Sequence, residues 1–79
     1  MKIKIIVTLK SGVLDPQGKA IQQTLNGMGF LDVKDVRQGK YFDIETNETD
    51  EVKAKNKVDE MCKKLLVNLI IEEYKIKKI

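Results

Sequence analysis

The sequence predicts an α+β fold of β-α-β-β-α-β order, a ferredoxin-like sandwich with a four-stranded antiparallel sheet and two helices on one face. Three observations carry this expectation. Ile3, Ile5, Val7 and Leu9 recur at a period of two, Ala20, Ile21, Leu25 and Met28 recur at helical spacing, and Ala54, Val58, Met61, Cys62 and Leu65 form a second helical stripe.

The first strand spans Lys2 to Lys10, with its odd-numbered apolar residues toward a core and Ile6 on the other face. A loop, Lys10-Ser11-Gly12-Val13-Leu14, leads to Asp15-Pro16, a capping residue followed by the residue that best tolerates a first helical position. The helix starting there is predicted to end near Met28, with Gly27 and Gly29 as breaker and left-handed stop. Leu31 and Val33 alternate between Phe30 and Arg37, which reads as a second strand with an irregularity near Lys34-Asp35. A turn at Gln38-Gly39 then joins it to a third strand, Lys40 to Thr46, with Phe42 and Ile44 inward.

Thr49 is the expected cap of a second helix from Asp50 to Leu66, closed by Asn68. A last strand follows within Leu69 to Ile76, placing Ile70, Tyr74 and Ile76 on one face. The whole chain, 1–79, reads as one domain. On this arrangement the uncovered sheet face carries Ile6, Val36 and Leu69 or Ile71, an apolar patch suited to a homo-oligomer of two or four copies. A chain of 79 residues also has little interior of its own, which favours association.

Composition narrows the chemistry. Histidine is absent and there is one cysteine, Cys62, on the apolar stripe of the second helix, so neither a metal site, a disulfide nor a thiol nucleophile with its base is expected. No catalytic residue and no cofactor site is assigned. Fifteen basic residues are interleaved with twelve acidic ones, unlike the one-sided basic face of nucleic-acid binders. The strand order is shared with RNA-binding RRM domains, and Tyr41-Phe42 stands where they carry aromatics, but the first strand has none to stack a base. A regulatory domain holding a small molecule at the Lys10 to Asp15 loop is the other alternative. No segment approaches the length of an apolar membrane span, and the start has lysines within its apolar stretch, unlike a signal peptide. A cytoplasmic, reducing location is expected, with neither nucleic acid nor membrane as a partner.

Lys10-Ser11-Gly12-Val13-Leu14-Asp15-Pro16-Gln17-Gly18-Lys19-Ala20-Ile21, Val33 to Lys40, and Cys62 to Tyr74 resemble three blocks of the PurS family. That family supplies the small subunit of phosphoribosylformylglycinamidine (FGAM) synthase. Leu69 departs from the proline usual after the asparagine. The resemblance implies a non-catalytic subunit in purine biosynthesis, joining a glutaminase (PurQ) to an ATP-dependent synthetase (PurL) and aiding ammonia transfer. Lys10, Asp15, Arg37 and Lys40 are the expected partner-binding residues, and Ile6, Val36 and Ile71 the expected oligomer contacts. Gly12, Asp15, Pro16, Gly18 and Gly39 serve equally well as turn and capping residues.

Overall fold

The computed structural model describes residues 1–78, in the order β1 (Lys2–Leu9), α1 (Pro16–Gly27), β2 (Gly39–Glu45), α2 (Glu51–Met61), a π-helical turn (Cys62–Leu66) and β3 (Glu72–Lys78). The strands form one antiparallel sheet of order β2-β1-β3. In β1 the alternation places Ile3, Ile5 and Val7 on one face, opposite Ile44, Phe42 and Lys40 of β2 and Lys78, Ile76 and Tyr74 of β3.

Helix α2 covers that face. Its Ala54 and Val58, with Cys62 and Val67 beyond, meet Ile3, Ile5 and Val7 in a core of seven buried residues. Phe42, Ile44, Tyr74 and Ile76 flank it half-buried, as their strand alternation predicts. Asp50, one residue beyond the expected Thr49, caps α2 by accepting from the amides of Val52 (2.9 Å) and Lys53 (3.1 Å). The π turn widens the helix by one residue, and the Val67 amide closes it on the Cys62 carbonyl at 3.0 Å. It carries Cys62 and Val67 both inward.

The thiol of Cys62 has its pKa raised by burial and by the nearby Asp59 carboxylate, consistent with a small core residue. Half-buried Tyr74 donates a hydrogen bond to Asp59, which also pairs with Lys63 at 3.0 Å. Accepting from a phenol favours the protonated ring oxygen, and Tyr74 is pushed up to about 12. Its folded pKa exceeds the unfolded value, so its contribution is complete below pH ~10 and lost as pH rises toward 12. Ultraviolet titration should therefore resolve a late-ionising tyrosine that Tyr74→Phe removes, together with the alkaline stability loss assigned to it.

Two expectations about the sheet are corrected. Phe30 to Arg37 is not a strand, so the described residues contain three strands rather than four. Its backbone groups find other partners: the Phe30 amide bonds to Leu25 O, and Asn26 Nδ2 donates to the carbonyls of Phe30 (2.9 Å) and Val33 (3.1 Å). With Asp32, Lys34 and Asp35 among its apolar residues, the segment has little strand propensity to oppose this. Nor do both helices share the sheet face, because α1 contributes no side chain to the core and Gly18 is its only buried residue.

Instead β1 and β2 are direct neighbours joined by an arm, residues 10–38. Helix α1 runs outward, Gly29 turns the chain at a φ of 101°, and residues 30–38 return alongside the helix. A twelve-residue helix adds about 18 Å to a strand of about 27 Å, in keeping with a molecule of 49 × 25 × 14 Å. The expected boundaries of α1 hold, with Asp15 as cap and Pro16 first, but its apolar residues face outward: Ile21 is 41% and Met28 68% exposed.

Candidate functional site: the base of the arm

The two ends of the arm meet beside the sheet, and side chains lock them there. Asp15 is buried, and its two carboxylate oxygens have different duties. Oδ1 accepts from the Gly18 amide at 2.8 Å and caps α1, while Oδ2 accepts from the Gln38 amide at 2.6 Å and holds the returning segment. Arg37 reaches back across the arm, donating from Nη1 to Val13 O (2.8 Å) and from Nη2 to Lys10 O (3.1 Å). Gln38 Nε2 donates to Gln17 Oε1 at 2.8 Å. The Gly18 Cα faces the Val36 carbonyl with no room for a side chain between them.

Below this lock the Lys40 ammonium pairs with Glu72 at 3.1 Å, tying the start of β2 to the start of β3. Glu72 also accepts from the Asn68 amide at 2.8 Å, and Lys10 N donates to Ile71 O at 2.8 Å, extending the β1–β3 ladder. Between these bonds lies a cleft of about 210 Å³, floored by Val7 and Leu9 and walled by Asp15, Gln38, Lys40 and Glu72. The Asn68 amide, then Lys40, hold the Glu72 carboxyl below its ordinary range.

Asp15 is held below the ordinary carboxyl value mainly by the Gly18 amide, then by the Gln38 amide. Because the depression belongs to the folded state, its stabilising effect is present above the unfolded pKa near 3.8 and lost as pH falls through the lower folded value. In Asp15→Asn one side-chain N–H₂ must point at a backbone N–H, so one of the two bonds is replaced by opposed donors. The variant should melt at a lower temperature at neutral pH and show a flatter acid limb. Circular dichroism melts at several pH values test both.

The structure thus brings Lys10, Asp15, Arg37 and Lys40, the expected partner-binding residues, into one corner, although Asp15 and Arg37 are engaged within the chain. It does not bring Ile6, Val36 and Ile71 onto one apolar face. Val36 lies in the return segment against Gly18, and Ile71 sits in the turn before β3. The open sheet face around Ile6 is charged instead: Lys2 and Lys4 on β1, Asp43 and Glu45 on β2, Glu73, Lys75 and Lys77 on β3. Tyr41 lies there too, donating to Asp43 Oδ1 at 2.6 Å beneath the Lys4 ammonium, 5.3 Å from its ring centre. The roles of Glu72 and Gln38 were not readable from the sequence, since both depend on contacts 32 and 23 residues away. Gly18, a glycine inside a helix, and Gly39, which lies against the Val7 carbonyl, are the local signals of close backbone approach.

Among the described residues no group of histidine, cysteine or carboxylate side chains is arranged to hold a metal ion, and no helix is long and apolar enough to cross a membrane.

Comparison with known proteins supplies the rest. Residues 2–79 match the family model of PurS, phosphoribosylformylglycinamidine (FGAM) synthase. The FGAM synthase subunit PurS of Methanocaldococcus jannaschii is 49% identical over 76 residues, covering 96% of this chain and 92% of that protein. Its counterpart in Bacillus subtilis is 46% identical over 74 residues, covering 94% and 87%. The crystal structure of the M. jannaschii PurS superposes with a TM-score of 0.88 over 96% of this chain and 92% of that one. A chain in the structure of PurLQS from Thermotoga maritima, 36% identical, gives 0.91 over 99% and 95%. With residues 2–79 matched by the family model and 96% of the chain matched in sequence and in fold, the chain belongs to the PurS family of FGAM synthase subunits.

Proposed function

We propose that this chain is the non-catalytic subunit of an FGAM synthase complex in purine biosynthesis, acting in the cytoplasm as a homo-oligomer that holds a glutaminase (PurQ) and a synthetase (PurL) together and aids ammonia transfer between them. The likeness to a chain of the T. maritima PurLQS structure, end to end in both proteins, carries this reading.

The corner at the arm's base is the candidate surface for a larger subunit. Lys10 and Lys40 offer exposed cations there, while Asp15 and Arg37 set the shape from behind. Lys40 is held by Glu72 on the rim of the cleft, poised to exchange that carboxylate for a partner's. Val36, at the arm's base, and Ile71, beside Lys10, flank the corner as oligomer contacts, with Ile6 on the open sheet face as a separate one. Pull-down with the tagged chain against the glutaminase and synthetase subunits of its own source tests the reading. Retention of both is expected, reduced by charge reversal at Lys10 and Lys40 together. Retention of neither would overturn it.

A further inference from the structure

The core face of the sheet is covered unevenly. Helix α2 and its π turn lie over Ile3, Ile5 and Val7, but α1 runs outward, and the Leu9 end of that face is left open. The cleft of about 210 Å³ at the arm's base is this open end. It falls short of the roughly 300–1,000 Å³ typical of sites for drug-sized ligands, so a nucleotide is too large for it and a small metabolite is not.

The lining decides what kind of molecule fits. Asp15 is 6% exposed and the Glu72 side chain 11%, so two carboxylates stand in the cleft against one ammonium, that of Lys40. That balance repels phosphate and other simple anions. A bare cation gains little either, because Val7 and Leu9 on the floor are aliphatic and the Lys40 ammonium opposes it. What matches is a zwitterion with an aliphatic stem.

Each polar group has capacity left for such a guest. Glu72 accepts from the Asn68 amide through Oε1, which holds the carboxylate in place when the half-exposed Lys40 ammonium, 3.1 Å from Oε2, swings away. Asp15 takes one amide on each oxygen, and each oxygen keeps a second lone pair. Among the described residues Gln17 and Gln38 pair through one group each, leaving the Gln17 amide nitrogen as a donor and the Gln38 amide oxygen as an acceptor.

We propose that the cleft is a binding site for a neutral α-amino acid with an amide side chain. Its ammonium lies on Glu72 and Asp15, its carboxylate on Lys40, its methylenes over Val7 and Leu9, and its amide against Gln17 and Gln38. The ligand replaces the direct Lys40–Glu72 bond and ties β2 to β3 through itself. Lys10 lies outside the cleft and remains available to a larger subunit.

Heteronuclear NMR of the purified full chain, titrated with L-glutamine into the millimolar range, tests this. The amides of Gly18, Gln38, Gly39 and Asn68, which line the cleft or bond to its carboxylates, should shift in a saturable way. Lys40→Ala and Glu72→Gln should each weaken binding by about tenfold or more, since each removes a charge-assisted contact, whereas Val52→Ala on the outside of α2 should leave it unchanged. Unshifted amides at Ile5 and Val58 in the core verify that each variant is folded. L-Glutamate, which brings a second negative charge toward Asp15, should bind more weakly. Absence of a saturable shift, equal shifts with ammonium chloride or with L-glutamate, or an affinity that both cleft variants keep would overturn the proposal. Binding to the chain alone and its assembly with the glutaminase and synthetase subunits are separate readouts, so either can fail while the other stands.

Discussion

Ile5→Ala should lower the unfolding free energy by about 2–5 kcal/mol, the cost of removing a fully buried aliphatic side chain whose cavity cannot close. For a domain of 79 residues, with a total stability of roughly 4–12 kcal/mol, that is a large fraction. Ile5 lies at the centre of β1, paired with Phe42 on one side and Ile76 on the other, under Val58 and its neighbours on α2. No second layer stands behind it. The comparison is Val52→Ala, whose side chain is 69% exposed in the first turn of α2 and which should change stability by no more than about 0.5 kcal/mol. Urea titrations of both variants, with equal m-values, measure the difference. A loss at Ile5 below about 1 kcal/mol would mean that this small core is not what holds the chain together.

Gly18→Ala is expected to be the most damaging single-methyl change. A glycine inside a helix ordinarily gains about 0.5–1 kcal/mol on conversion to alanine, so propensity alone predicts stabilisation. Here the added Cβ would overlap the backbone carbonyl oxygen of Val36 and stand 2.8 Å from Asp15 Oδ2. Neither atom can move without loosening the arm's base, because Asp15 holds both the α1 cap and the Gln38 amide. Overpacking of this kind costs about 1–3 kcal/mol, reversing the sign. Gly27→Ala in the same helix meets nothing within 4 Å and should be neutral or stabilising. Thermal melts of the pair, with limited proteolysis across residues 30–38, test whether the damage lies at the arm. Equal melting temperatures for the two variants would show that the close approach of α1 and the return segment is not maintained in solution.

Legibility followed the range of the interactions. β1 was readable because a period-two pattern of Ile3, Ile5 and Val7 states one buried face, and Asp15-Pro16 and Gly29 mark the ends of α1 within a few residues of sequence. Phe42, Ile44, Tyr74 and Ile76 were placed for the same local reason. Phe30 to Arg37 was misread because Leu31 and Val33 alternate like a strand, while their backbone partners, Leu25 and Asn26, belong to the helix before them. The missing strand then displaced the rest of the layout. Once β2 pairs directly with β1, the helix between them lies off the core, and an amphipathic pattern that says only that α1 has an apolar face does not place that face on the sheet. At the arm's base, the capping role of Asp15 was readable, whereas its bond to Gln38 and the reach of Arg37 to Lys10 and Val13 arise only from the fold.

The central claim, that this chain completes an FGAM synthase, is tested most directly by reconstitution. Purified glutaminase and synthetase subunits from the same source are mixed with formylglycinamide ribonucleotide, ATP and glutamine, with and without the chain, and product formation is followed. Glutamine-dependent synthesis should require the chain and saturate at a fixed ratio to the larger subunits, while ammonia-dependent synthesis should proceed in its absence. Full glutamine-dependent activity without the chain, or no gain on adding it, would contradict the account.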